Sequence, residues 1–99
     1  MAYNVEYILA DDGLGFNAIY NGRKIGEVTF VRVGMDKMIL DHTAVDAPYR
    51  DAQIGLGLVR ATVELARRQK RKIIALCPYA AAMFNRHPEF DDVRLINSH

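Results

Sequence analysis

Apolar and polar positions alternate along the first half of the chain, then change period once, after Val45. Tyr3–Leu9 alternates with Tyr3, Val5, Tyr7 and Leu9 on one face, as a half-buried strand requires. Asp11-Asp12-Gly13 turns the chain into Phe16–Tyr20, with Phe16, Ala18 and Tyr20 on one side. Asn21-Gly22 is a two-residue hairpin signal, because both positions tolerate positive φ. Ile25–Val33 reads as a third strand, with Gly26 a candidate bulge. Gly34-Met35-Asp36 turns it into a fourth, Met38–Val45. Period two puts His42 on the face of Met38, Leu40 and Ala44, and Asp41 on the other.

Between Gln53 and Ala66 the spacing becomes three and four. Ile54, Leu58, Thr62 and Leu65 form one stripe, with Gly55, Val59, Val63 and Ala66 beside it, so this is a helix with one broad buried face. Glu64 and Arg68 stand four apart as a weak favourable pair. Lys72–Leu76 is a short continuous apolar strand of the kind buried on both faces. Pro78 opens an alanine-rich helix through Phe84, and Pro88 ends the run, with His87 at the helix end. Strand, helix and strand form one β-α-β crossover, which is right-handed and makes the fourth and fifth strands parallel. The fold class is α+β: a mixed, mostly antiparallel sheet of about five strands with two main helices.

Composition narrows the class. Ninety-nine residues with 51% hydrophobic and 25% charged side chains make one globular domain, residues 1–99. A net charge of +1 gives no global field for nucleic acid or an acidic membrane. The basic run Arg67-Arg68-Gln69-Lys70-Arg71-Lys72 falls where cations complement the negative end of the long helix, and no aromatics interleave it. Cys77 is the one cysteine, so no intrachain disulfide forms. No apolar run approaches the ~20 residues that span a bilayer, and the first residues carry no charged-then-apolar leader. The expectation is a cytoplasmic protein with no nucleic-acid or membrane partner and no metal, since no Cys/His cluster has ligand spacing. Oligomeric state is not legible.

Three places carry candidate chemistry. Arg50 precedes a helix that begins around Ala52, and helix starts offer unpaired N–H groups and the positive end of the dipole to phosphate. The loop Arg50-Asp51-Ala52-Gln53-Ile54-Gly55-Leu56 is thus a phosphate cradle for a phosphate-bearing cofactor, or a plain tight turn. Cys77 precedes a helix start, which favours thiolate; it is an acyl-accepting nucleophile, a proton donor, or an inert buried thiol. His42 is a general base or a core histidine satisfied by one hydrogen bond. Glu27 on the third strand is near enough in sequence order to reach the same cleft, with nothing to decide it.

The order His42-Thr43-Ala44-Val45, Arg50 to Gly55, Leu76-Cys77-Pro78 and Arg86-His87-Pro88-Glu89-Phe90 resembles the small single-domain, YjdJ-like branch of the GNAT superfamily of acetyl-CoA-dependent N-acetyltransferases. The resemblance runs from about Gly26 to Phe90. It implies that the fourth and fifth strands splay and that acetyl-CoA or CoA lies in the V. The pyrophosphate would rest on Arg50–Gly55 and the pantetheine along Thr43, Ala44 and Val45, held mainly by their backbones. An amine would be the acceptor, with Cys77 and His42 as the catalytic pair facing one cleft. The chain departs from the family pattern in three ways. Gln53 stands at the usual first glycine of the loop, Met83-Phe84-Asn85 offers no phenol in the last helix, and no helices separate the first two strands to wall the acceptor site. Those departures imply the alternative of a catalytically weak acyl-CoA-binding or interaction module with the same fold.

Overall fold

The computed structural model describes residues 4–95. Strands β1 (Glu6–Leu9), β2 (Gly15–Tyr20), β3 (Arg23–Val33), β4 (Lys37–Val45) and β5 (Lys72–Ala75) form one sheet in chain order. The first three junctions are antiparallel and β4–β5 is parallel. Helix α1 (Ile54–Gln69) crosses from β4 to β5, preceded by a 3-10 helix over Ala47–Ala52. Helix α2 (Pro78–Arg86) follows β5, and a second 3-10 helix, Pro88–Val93, brings Arg94 back to bridge Ile73 in parallel. This is the α+β sheet with two main helices that the periodicity requires. Tyr3, expected to open the first strand, lies outside the described residues.

The local chemistry that ends each element is visible. Asn21 and Gly22 take φ of 51° and 74° in the β2–β3 turn, the left-handed pair such a turn needs. The buried residues of α1 are Ile54, Gly55, Leu58, Val59, Thr62, Val63, Leu65 and Ala66, the whole of the expected stripe. Lys70, at φ 57°, closes the helix by donating its N–H to the carbonyls of Ala66 and Arg67. Glu64 pairs with Arg67 at 3.1 Å instead of Arg68. Arg67 is held there because Asp92 and the Glu89 carbonyl also draw its guanidinium, at 2.9 Å and 2.7 Å.

Both helices lie on one face of the sheet. Ala18, Val28, Phe30, Leu40 and Ile73 from the strands meet Leu58, Val59 and Val63 of α1 and Ala80 and Phe84 of α2 in one core. The second 3-10 helix seals the far end: Phe90 stands edge-on to Phe84 at 5.8 Å, with the Arg60 guanidinium 5.9 Å from its ring. On the other face no helix packs among the described residues. The expectation that β5 is buried on both faces is therefore corrected: Ile73 is fully buried, but Leu76 just beyond the strand is 68% exposed. A continuous apolar run does not distinguish a strand covered twice from one covered once.

Two bulges break the alternation. Between Ala18↔Gly26 and Ile19↔Lys24 the extra residue is Ile25, one before the expected Gly26. Ile25 and Gly26 are thereby both turned inward, and Gly26 sits where Leu58 and Ile54 of α1 come closest. Between Thr29↔His42 and Phe30↔Leu40 the extra residue is Asp41. Asp41 and His42 are both turned outward, so the expected parity fails from that point. His42 leaves the face of Met38 and Leu40, Asp41 shares its side, and Thr43 takes the inward place.

Two outcomes test this packing. A Cβ at Gly15 would lie 2.3 Å from the Val28 carbonyl oxygen, which as backbone cannot rotate away. Gly15→Ala is expected to lower stability by about 1–3 kcal/mol in urea unfolding. The Arg67 guanidinium bonded to Asp92 holds that carboxyl below its ordinary range. Its contribution is present above the ordinary carboxylate range and is lost as pH falls through the lowered value. Asp92→Asn is expected to remove that part of the acid limb of a stability–pH curve.

Candidate functional site

The β4–β5 register runs from Lys37↔Lys72 to Leu40↔Ala75 and stops, while β4 stays paired with β3 as far as Val45↔Gly26. The Leu40 carbonyl accepts both the Leu76 and Cys77 N–H groups, at 3.0 Å and 3.2 Å, and closes the shared ladder. Beyond it the β5-facing edge of β4 has no neighbouring strand. A cavity of about 360 Å³ fills this opening, lined by Thr43, Ala44, Val45, Arg50 and Tyr79. A second hollow shares Arg50 and Tyr79 and continues past Gln53 and Leu56 to Met83 and Arg86.

The start of α1 faces the same opening. No side chain caps its first N–H groups. The helix starts at Ile54, not near Ala52, because Ala47–Ala52 forms a tighter 3-10 turn with a proline in its first turn. Gln53 joins the two pieces at φ 60°, ψ 26°. That is left-handed backbone, which glycine adopts without strain and glutamine does not. Arg50 folds back so that its Nε donates to the Val45 carbonyl at 3.2 Å, tying the loop to the end of β4.

Cys77 precedes α2 as its N-cap and is 8% exposed. Its Sγ lies 3.8 Å from the Thr43 hydroxyl across the splay. Thr43, expected to contribute mainly through its backbone, thus also offers its side chain as a polar partner of the thiol. Tyr79 is a second group that the pattern did not reveal. The expected absence of a phenol from the last helix holds only for its later turns: Tyr79 lies in the first turn and lines both hollows. Its hydroxyl lies 2.2 Å from where a Gly55 Cβ would be, so glycine at 55 is what admits the ring. Burial raises the Tyr79 phenol above its ordinary range, offset in part by Arg86. It is therefore protonated at neutral pH and able to donate.

The structure does not bring His42 and Cys77 together. His42 stands on the helix-free face, its Nε2 3.8 Å from Glu27 Oε2, with more than half its side chain exposed. Asp41 joins it there by accepting a 2.7 Å hydrogen bond from the Thr29 hydroxyl. The bulge at Asp41 is the reason, since it exchanges the faces of His42 and Thr43. Lys24 also binds Glu27, so the His42 side of the strand carries a small ionic cluster. The expected phosphate loop, by contrast, is contiguous: Arg50, Gln53 and Leu56 share one hollow with Tyr79, and Ile54 and Gly55 are buried at the helix start.

Residues 15–93 match the family described as GCN5-related N-acetyl-transferase. No curated protein matches the sequence. Among solved structures, a GCN5-like protein of Staphylococcus aureus is 29% identical, with TM-score 0.76, over 97% of this chain and 93% of that one. A ribosomal-protein-alanine N-acetyltransferase from Brucella melitensis shares the fold at 16% identity and TM-score 0.66, covering 86% of this chain and 63% of that one. A GNAT acetyltransferase from Elizabethkingia anophelis, solved with acetyl-CoA bound, shares it at 19% identity and TM-score 0.58, over 62% and 40%. This chain therefore spans less than two thirds of the length of both larger proteins.

The left-handed linker gives the site its own test. Left-handed backbone costs a residue with a Cβ about 1–2 kcal/mol, and glycine gives back about 0.5–1 kcal/mol in unfolded-state freedom. Gln53→Gly is expected to raise stability by up to about 1 kcal/mol in urea or thermal unfolding. A decrease would mean that the Gln53 side chain makes a contact worth more than its strain.

Proposed function

Since the chain belongs to the GCN5-related N-acetyltransferase family, we propose that it transfers an acetyl group from acetyl-CoA to an amine. The observation that carries this reading is the early end of the β4–β5 ladder, which leaves Thr43–Val45 with no strand on the β5 side, beside a helix start that no side chain caps. The residues present fit acetyl-CoA. Thr43, Ala44 and Val45 offer backbone N–H and C=O groups to an amide-bearing pantetheine arm, as an added strand would. Arg50 and the amides from Asp51 to Leu56 offer positive charge and donors to the pyrophosphate. Acetyl-CoA supplies a thioester-activated acetyl group.

The chain's own groups then divide the remaining work. Backbone N–H groups of β4 next to the splay stabilise developing negative charge at a carbonyl oxygen. Cys77 and Tyr79 are the protic side chains on the helix side, and either hands a proton to a departing thiolate from Sγ or Oη. The Cys77 thiol donates to the hydroxyl of Thr43, which itself lines the opening. His42, backed by Glu27, takes a proton from an amine arriving on the helix-free face. The histidine and the cysteine thus act from opposite sides of one strand, and not as a contiguous pair.

One observation favours the second reading, a weak acyl-CoA-binding module. Gln53 places a side chain at the phosphate loop in a conformation that glycine would hold with less strain. A titration separates the two. Acetyl-CoA is expected to shift the amide resonances of Thr43–Val45 and Asp51–Leu56 and to be turned over with an amine acceptor. Cys77→Ala is expected to lower turnover by a factor of about 10² while leaving those shifts in place. Shifts without turnover support the binding module. Wild-type rates in both Cys77→Ala and His42→Ala would return the chemistry to backbone and water.

A further inference from the structure

The face of the sheet that carries His42 has an order of its own. Cross-strand partners point to the same side, so the register defines rows across β3, β4 and β5. Nearest the site, Glu27 lies beside Ala44 and Thr29 beside His42, with the Asp41 carboxylate between the strands. Next come Val31, Ile39 and Ile74, aligned across all three strands. The last row is Val33, Lys37 and Lys72. Leu76 extends the apolar row toward Cys77 and is 68% exposed; Val31 and Val33 are 41% and 40% exposed. No helix covers any of these residues among those described.

An apolar strip rimmed by charge is a recognition surface more often than an accident of composition. Here the rim is polarised. At the site end Glu27 is paired with Lys24 and faces His42, which leaves Asp41, accepting from the Thr29 hydroxyl, as the carboxylate that no cation pairs with among the described residues. At the far end stand Lys37, paired with Asp36 at the surface, and Lys72, whose ammonium donates to the Asp92 carbonyl and lies near its carboxylate. From Asp41 to Lys37 is four residues of strand, roughly 13 Å at about 3.3 Å per residue. A small polar amine would use the carboxylates and leave the strip wet.

Building on the acetyltransferase reading, we propose that the acceptor is a protein amine presented in an extended segment laid on this face. Its ammonium meets Asp41 and Glu27 beside His42. The apolar side chains that follow cover Val31, Ile39, Ile74 and Leu76, and an acidic residue one strand-length on meets Lys37 and Lys72. Charge complementarity at the two ends sets the direction of the segment, and the apolar row supplies the affinity.

The test uses the whole chain, isotopically labelled, and a short synthetic peptide with a free amino terminus, apolar residues after it and glutamates at its carboxyl end. The peptide is expected to shift the amides of Val31, Ile39, Asp41, Ile74 and Leu76, and its Nα-acetylated twin to bind about tenfold more weakly. Val31→Glu, on an exposed strand position, is expected to weaken the peptide about tenfold and leave acetyl-CoA-induced shifts unchanged. Leu76→Ser is a milder second variant with the same expected direction. Acetyl-CoA shifts with no peptide shifts on this face would overturn the proposal alone. So would shifts from a small polyamine at Asp41 that the peptide does not match. A concentration-dependent dimer abolished by Val31→Glu would assign the face to a second copy and overturn it too. Peptide shifts on this face without any acetyl-CoA binding would defeat the acetyltransferase reading and keep the docking surface.

Discussion

One extra residue in β4 organises this molecule. Because Asp41 has no partner of its own in β3, the strand turns two successive side chains outward and resumes alternation on the opposite phase. The same bulge coincides with the end of β5 pairing at Leu40, where one carbonyl accepts two N–H groups and the ladder stops. Thr43 is brought inward to the Cys77 thiol, and His42 is sent outward to Glu27. Without the bulge, His42 would compete for the inward place beside Leu40. The gap between the strands would then face a histidine where it now faces a threonine hydroxyl.

The layering amplifies that local event. With both helices on one face, the splayed strands have a walled side and an open side, and the two candidate proton carriers fall one on each. A thioester held along β4 would be reachable from both. This makes the separation of Cys77 and His42 compatible with chemistry at a shared carbon, although the two never touch. It also explains why the polar cluster at Glu27, Thr29, Asp41 and His42 exists at all: on a covered face those groups would need partners for every buried charge.

Much of the fold was legible in the sequence, and the losses have physical causes. The stripe of α1 was readable position by position, since helix period survives any number of short turns nearby. The Asn21-Gly22 hairpin was readable because left-handed backbone restricts residue choice so strongly. A bulge leaves no such mark. Neither Ile25 nor Asp41 is unusual in a strand, and one inserted residue silently inverts every later inference about faces. The placing of His42 with Leu40 failed for that reason alone. Tyr79 was missed for a different one: its role depends on Gly55, far away in sequence, leaving room for its ring. The loop before α1 was legible in place, but the left-handed Gln53 was not, since glutamine carries no preference for that backbone.

The two ends of α1 then show how stability is distributed around the site. At its carboxyl end Arg67 binds Asp92, Glu64 and the Glu89 carbonyl, and Arg71 donates to the Gly34 and Lys37 carbonyls at 3.1 Å and 2.9 Å. These contacts fasten the helix to the β3–β4 turn and to the second 3-10 helix, where nothing is expected to bind. At its amino end there is no side-chain cap and one left-handed residue, with Arg50 tying the preceding loop to Val45. Local opening free energy follows such contact density, so the amino end is the softer one. A phosphate group bound there would supply the missing acceptors and the counter-charge together. The basic run, expected to complement the negative end of the helix dipole, is thus also the anchor of the helix.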